Sequence, residues 1–274
     1  MAAEVPAECL TSTDQSQQSN DDAIMAQMND IERNVAETQK MILPLEDIAT
    51  LENEYQQGDD CQTYRQKAKE LASRYSHIRR VRGDGNCFYR ALIFAQMEYL
   101  LTHSEEYDKF KKLAGAWKDR LLKLGFPDLT TEDFCESFME FIAKLECGLT
   151  GEQLEDLFND DNYSNYIVCF MRLVTSGYLK ENAAFYENFV DGERTLAEYC
   201  AQEVEAMFKV SDHLTIIALS QALELSFRIE YMDRSAAPEG GWHHDFRPDS
   251  DPNGPLKLYF LYRHDHYDIL TLKS

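Results

Sequence analysis

Residues 77–101 read HIRRVRGDGNCFYRALIFAQMEYLL. Gly83 and Gly85 break this stretch into a tight loop, and helical periodicity starts at Cys87, with Phe88, Leu92, Ala95 and Tyr99 facing inward. A cysteine at the first turn of a helix lies against unpaired backbone N–H groups and the positive end of the helix dipole. Both favour a thiolate over a thiol. The same loop can aim N–H groups at the oxyanion that forms during acyl transfer. A lone cysteine is more often a buried structural residue, so the reading needs a base to complete it.

The chain has seven histidines, and RHDHYDIL at 263–270 sets one of them apart. In an extended segment, residues two apart project to one face. His266 and Asp268 therefore lie side by side, and Asp268 can hold one ring nitrogen while the other faces a thiolate. His264 shares that face and is the runner-up base. His103 reads as a solvated helix-end residue, and His213 as the start of an otherwise apolar helix.

The rest of the sequence sets the frame. The chain has 274 residues, 44% of them apolar, enough for a sizeable core. Its formal charge of −22 repels a phosphate backbone and suits basic or mixed-charge protein partners. Seven cysteines stand at wide intervals with no CxxC pair, so no zinc site is expected and no other cofactor is implied. The N-terminus shows no basic and apolar signal pattern, and no stretch approaches a membrane span. The expectation is a soluble cytoplasmic protein with free thiols, the nucleus being a second compartment.

Residues 1–20 are polar and read as disordered. Residues 21–45 follow as an amphipathic helical arm, in which Ile24, Met28, Ile31, Val35 and Ile42 form one stripe and Pro44 ends the helix. The stripe fits either packing on the chain's own domain or a partner-binding arm. Residues 46–274 form the main domain. Helices are expected at 63–75, from Cys87 onward, and at about 105–124, 131–146, 151–159, 162–175, 183–190, 195–207 and 212–223. Strand periodicity appears late, in LSFRIEYM, LKLYFLY and HYDILTL. Helices first and strands last argue for an α+β domain, a helical body packed on a C-terminal β-sheet.

Asp84-Gly85-Asn86-Cys87-Phe88-Tyr89-Arg90-Ala91, with Leu261-Tyr262-Arg263 and His266-Tyr267-Asp268-Ile269-Leu270 late in the chain, resembles the otubains of the OTU deubiquitinases. SHIRRVRGDGNC, RLVTSGYL, SDHLTIIALSQAL and EYMDR extend the likeness over most of 21–274. The resemblance implies a papain-like cysteine peptidase fold and hydrolysis of the isopeptide bond between ubiquitin units. It implies Cys87 as nucleophile, His266 as general base, Asp268 as its orienting residue and Asp84 as the aspartate that shapes the oxyanion loop. It further implies a preference for chains joined through ubiquitin's lysine 48, no metal, and an N-terminal helix touching ubiquitin and ubiquitin-conjugating enzymes.

A surface for the distal ubiquitin is implied at Phe185 to Asp191, including Phe189, at Ile217 to Leu223, and at Trp242 to Pro248, including Phe246. Plain helix packing competes for the first two. Two departures stand out: Gly83 where the family usually has Pro, and His264-Asp265 where Pro-Gly is expected. The alternative function is a non-catalytic binder and inhibitor of conjugating enzymes. Transglutaminases and arylamine acetyltransferases use the same triad chemistry, but DGNCFYRA does not resemble theirs.

Overall fold

A computed structural model describes residues 38–55, 61–192, 194–233 and 242–273. Lys40–Ser274 forms one compact unit. Ile24, Met28, Ile31 and Val35 lie outside the described residues.

A six-stranded sheet runs in the order β1-β2-β6-β5-β3-β4. The strands are β1 (Ile42–Asp47), β2 (Tyr75–Val81), β3 (Phe227–Tyr231), β4 (His243–Phe246), β5 (Leu258–Arg263) and β6 (His266–Leu272). All neighbours are antiparallel except β3 and β5, which are parallel. The fold is α+β, as the late strands imply, but the sheet is twice the size those strands predict. β1 corrects the boundary at 45. Ile42 belongs to an edge strand and not to a helical stripe, and it is fully buried in the main core. Pro44 is tolerated because β1 is an edge strand with an irregular register between Ile42 and Leu45.

β2 is hidden in the sequence by its arginines. Tyr75, Ile78 and Val81 are buried, while Arg79 and Arg80 are each consumed by carboxylates. The helix after β2, Cys87–Thr102, is apolar on nearly every side and packs on β6 and β5 at the centre of the core. Helices Asp128–Glu146 and Asp161–Glu181 cover it further out, with Phe138 stacked on Phe170 at 4.0 Å between ring centroids. The nucleophile loop therefore sits between an inner strand and a helix buried along its first eleven residues, where little can move.

Candidate active site

The Cys87 helix begins directly after Asn86, whose backbone is not helical (φ −100°, ψ 0°). Gly85 has φ +72°, a left-handed conformation that suits glycine. A Cβ there would lie 2.2 Å from the Phe208 carbonyl oxygen, so the close approach of that chain also demands glycine. Asp84, almost fully buried, takes the Asn86 N–H at 3.0 Å, Arg90 at 2.9 Å and Arg82 at 3.0 Å. Burial alone would raise its pKa, but Arg90 and then Arg82 outweigh it and hold the carboxyl below the usual range. Asp84 thus freezes the turn as a carboxylate. The Asn86 N–H is spent on it, whereas the Gly85 and Cys87 N–H groups on either side make no hydrogen bond among the described residues.

His266 arrives from the opposite direction. β5 and β6 form a hairpin in which Arg263 pairs with His266 across a two-residue turn. His264 and Asp265 have φ +49° and +58°, a type I′ turn made without glycine or asparagine. His264 stacks on Tyr64, and Asp265 accepts a hydrogen bond from the Tyr262 hydroxyl at 2.7 Å. The turn therefore sends His264 away from the thiol and His266 toward it.

His266 Nε2 donates to Asp268 Oδ1 at 2.9 Å, and Nδ1 is buried with no formed hydrogen bond. Nδ1 faces Gly83, where an added Cβ would lie 3.4 Å away. Burial opposes the imidazolium charge. The Asp268 hydrogen bond first, then the nearby Cys87 sulfur and the charge of Asp268, overcome that burial and push the His266 pKa up to about 10. The ring is thus close enough to the sulfur for strong electrostatic coupling, while the S–H···N bond is still open, as in many unliganded thiol enzymes.

Asp268 is wholly buried and fully engaged. Besides His266 it accepts Val81 N–H at 3.1 Å, Arg80 at 3.2 Å and Arg263 at 3.2 Å. Burial would raise its pKa, but His266, Arg263 and Arg80 together lower it. Glu54 bridges the two arginines from outside. A cleft of about 550 Å³ opens beside this cluster, lined by Ser211, Asp212, His213, Tyr231, Tyr262 and Tyr267. A buried nucleophile, an oriented imidazole and free loop N–H groups are the parts of a cysteine acyl-transfer centre.

The family model for Peptidase C65 Otubain matches residues 27–272. The chain belongs to the otubain family. This otubain is 52% identical over 227 residues to the ubiquitin thioesterase otubain-like of Caenorhabditis briggsae, covering 81% of this chain and 77% of that protein. It is 44% identical over 252 residues to the ubiquitin thioesterase OTUB1 of Homo sapiens, covering 91% and 90%. Among solved structures it resembles the complex of h/ceOTUB1, ubiquitin aldehyde and UBC13~Ub with a TM-score of 0.86 at 41% identity, covering 93% of this chain and all of that one. The corresponding complex with UBCH5B~Ub gives the same score and identity.

Asp84, Cys87, His266 and Asp268 thus meet in one place. The ubiquitin-surface residues scatter. Phe185 and Phe189 are 61% and 53% exposed, and their rings touch. Trp242 is half-buried, with the Lys67 ammonium 4.9 Å from its ring centroid. Phe246 is a correction: it is buried and stacked on Phe227 at 5.1 Å, a core residue of the β3–β4 pair and not a surface anchor. Arg80 and Arg263, which bond Asp268, and Glu54, which pairs with both arginines, are not singled out in the sequence as site residues; the β2–β6 and β5–β6 registers bring the two arginines to Asp268.

Proposed function

We propose that this otubain is a deubiquitinating cysteine isopeptidase that binds ubiquitin, polyubiquitin and ubiquitin-conjugating enzymes. The observation that carries the reading is the His266 imidazole. One nitrogen is fixed on a buried carboxylate, and the other is open toward Cys87. Cys87 gives its proton to His266 Nδ1 and its Sγ attacks the isopeptide carbonyl, and the oxyanion is received by the Gly85 and Cys87 N–H groups. The C–N bond then breaks as the imidazolium gives its proton to the departing lysine amine. Water, deprotonated by the same imidazole, then attacks the thioester carbonyl; the C–S bond breaks, ubiquitin leaves with a free carboxylate, and the imidazolium returns its proton to Cys87. Asp268 keeps the ring in one tautomer, and Asp84 keeps the loop in shape.

The finer reading is a preference for lysine 48-linked chains, with a cytoplasmic and secondarily nuclear location. Free thiols at Cys87, Cys135, Cys147, Cys169 and Cys200 support a reducing compartment. Among the described residues no helix is long and apolar enough to cross a membrane. A second, non-catalytic role, restraint of conjugating enzymes, is supported by the likeness to OTUB1 complexes that contain UBC13~Ub and UBCH5B~Ub. Diubiquitins of each linkage, incubated with the native protein and Cys87→Ser, test the reading. Cleavage of the lysine 48 dimer by the native protein alone is expected. Cleavage surviving in Cys87→Ser, or none with the native protein, overturns it. Retention of UBC13~Ub binding by Cys87→Ser is expected of the second role.

A further inference from the structure

Arg172 lies in the middle of the Asp161–Glu181 helix, 1% exposed and far in sequence from every residue of the catalytic centre. Among the described residues it makes no salt bridge. Its guanidinium is spent on neutral oxygens: Nη2 donates to Asn86 Oδ1 at 2.8 Å, Gly85 O at 3.1 Å and Lys209 O at 2.8 Å. Nη1 donates to Val204 O at 3.0 Å, Nε reaches Asn86 Oδ1 at 3.3 Å, and the group lies 4.5 Å from the Tyr89 ring centroid. Burial makes this charge costly and pulls the Arg172 pKa down, against the smaller opposing effects of Tyr89, Cys169, Asp84 and Cys87. A fold that needed only filling at this point is served better by an apolar side chain.

The targets of those bonds are what the charge holds. Gly85 and Asn86 are the two residues before the nucleophile. Asn86 is itself fully buried. Its Oδ1 accepts from Arg172 and from Phe208 N–H at 3.0 Å, while its Nδ2 has no partner. The side chain is therefore oriented through its oxygen alone, by Arg172 and the 204–209 segment that Arg172 also holds. That segment lies directly on Gly85, and Phe208 is kept at φ +65°, a conformation a bulky residue rarely adopts.

We propose that Arg172 is a positioning residue of the catalytic centre. It clamps the Gly85–Asn86 peptide from inside and the 204–209 segment from outside, so that the Gly85 and Cys87 N–H groups are fixed where the oxyanion develops. The proposal rests on the isopeptidase reading, and it makes Arg172 serve the transition state, not substrate binding. Misplacement of such a loop by about an ångström costs up to roughly 10²-fold in rate.

The test compares the full chain with Arg172→Met, Arg172→Lys and a control, Arg79→Met. Arg79 is another buried arginine, but it pairs with Glu98 and Glu155 away from the site. Steady-state hydrolysis of ubiquitin carrying a C-terminal fluorogenic amide is measured beside thermal unfolding and the rate of Cys87 alkylation by iodoacetamide, a reaction that builds no oxyanion. Arg172→Met is expected to lose about 10–100-fold in kcat with KM within about two-fold. Arg172→Lys keeps the charge and not the fork of donors. It is expected to lose at least about ten-fold in kcat while alkylation stays within about three-fold. Arg79→Met is expected to unfold earlier and keep its kcat. The proposal is overturned by unchanged kcat in folded Arg172 variants, by equal losses of alkylation and hydrolysis in Arg172→Lys, or by failure of both variants to fold. A native protein that leaves the substrate intact refutes the isopeptidase reading instead.

Discussion

Asp268→Asn probes the electrostatics of the site most sharply. The carboxylate is wholly buried, 2.9 Å from His266 and 3.2 Å from each of two arginines. Lifting the His266 pKa from 6.5 to about 10 against its own burial corresponds to about 5 kcal/mol in favour of the imidazolium. Asparagine removes the Asp268 share of that stabilisation and leaves Glu54, with Glu46 beside Arg80, as the carboxylates facing Arg80 and Arg263. The imidazole pKa is then expected to fall to 6.5 or below. The asparagine amide can also donate to Nε2, which turns a proton toward the thiol and spoils the base.

A loss of about 10²–10⁴-fold in kcat at neutral pH follows, by analogy with the wrong tautomer in serine peptidase triads. Breaking a buried pair costs about 3–5 kcal/mol, or roughly 6–20 °C in Tm for a domain of this size. Because the folded pKa is raised, the His266 contribution is complete below pH 6.5 and is lost as pH rises toward about 10. The Tm gap between the two proteins is therefore expected to be widest near pH 6 and to narrow toward pH 10. Histidine ring-proton NMR titration, unfolding scans at several pH values and steady-state kinetics provide the readouts. An Asp268→Asn protein that turns over within about three-fold of native, with His266 still titrating near 10, refutes the reasoning.

Replacing the strained turn with Asn-Gly (His264→Asn with Asp265→Gly) is expected to raise Tm by about 2–4 °C, or about 1 kcal/mol after the Tyr64 and Tyr262 contacts are lost; a fall in Tm would show that those contacts matter more than the strain. Removing residues 1–39 is expected to leave Tm within about 2 °C while weakening polyubiquitin binding. Removing 1–47 takes away buried Ile42 and the β1 ladder, and a drop of at least about 4 °C is expected, both by differential scanning calorimetry. Gly83 lies at the centre of a turn closed by Asp84 N–H to Arg82 O at 3.1 Å, with φ outside the left-handed region, an inverse γ-turn that proline can adopt. Gly83→Pro is expected to raise kcat by at most about five-fold at nearly constant KM; steady-state kinetics showing lost activity in the folded variant would mean that the ring crowds His266.

What the sequence revealed and concealed divides along a physical line. The nucleophile loop and the His266–Asp268 pair are legible because local rules govern them: glycine torsions, a helix start and the two-residue period of a strand. β1 and β2 were hidden because Pro44 and a run of arginines mimic loop chemistry, and only the register across the sheet shows each arginine paired with a carboxylate. Phe246 misled for the same reason: an aromatic beside a Gly-rich loop looks exposed until β4 pairs with β3. Arg172 opens the RLVTSGYL stretch, but its role is not legible there, since its partners lie 86 and 37 residues away and are bonded through carbonyl and amide oxygens common to every chain.

The central claim is that Cys87 is the nucleophile, and one covalent measurement tests it. Burial pushes the Cys135 and Cys200 thiols up to about 11 and raises Cys169 as well, whereas Cys87 stands at a helix start within the field of His266. The protein is incubated with a ubiquitin bearing a C-terminal thiol-reactive group, and the adduct is mapped by peptide mass spectrometry. Modification of Cys87 alone is the predicted result; an adduct on Cys135, Cys169 or Cys200 with Cys87 unmodified would contradict it.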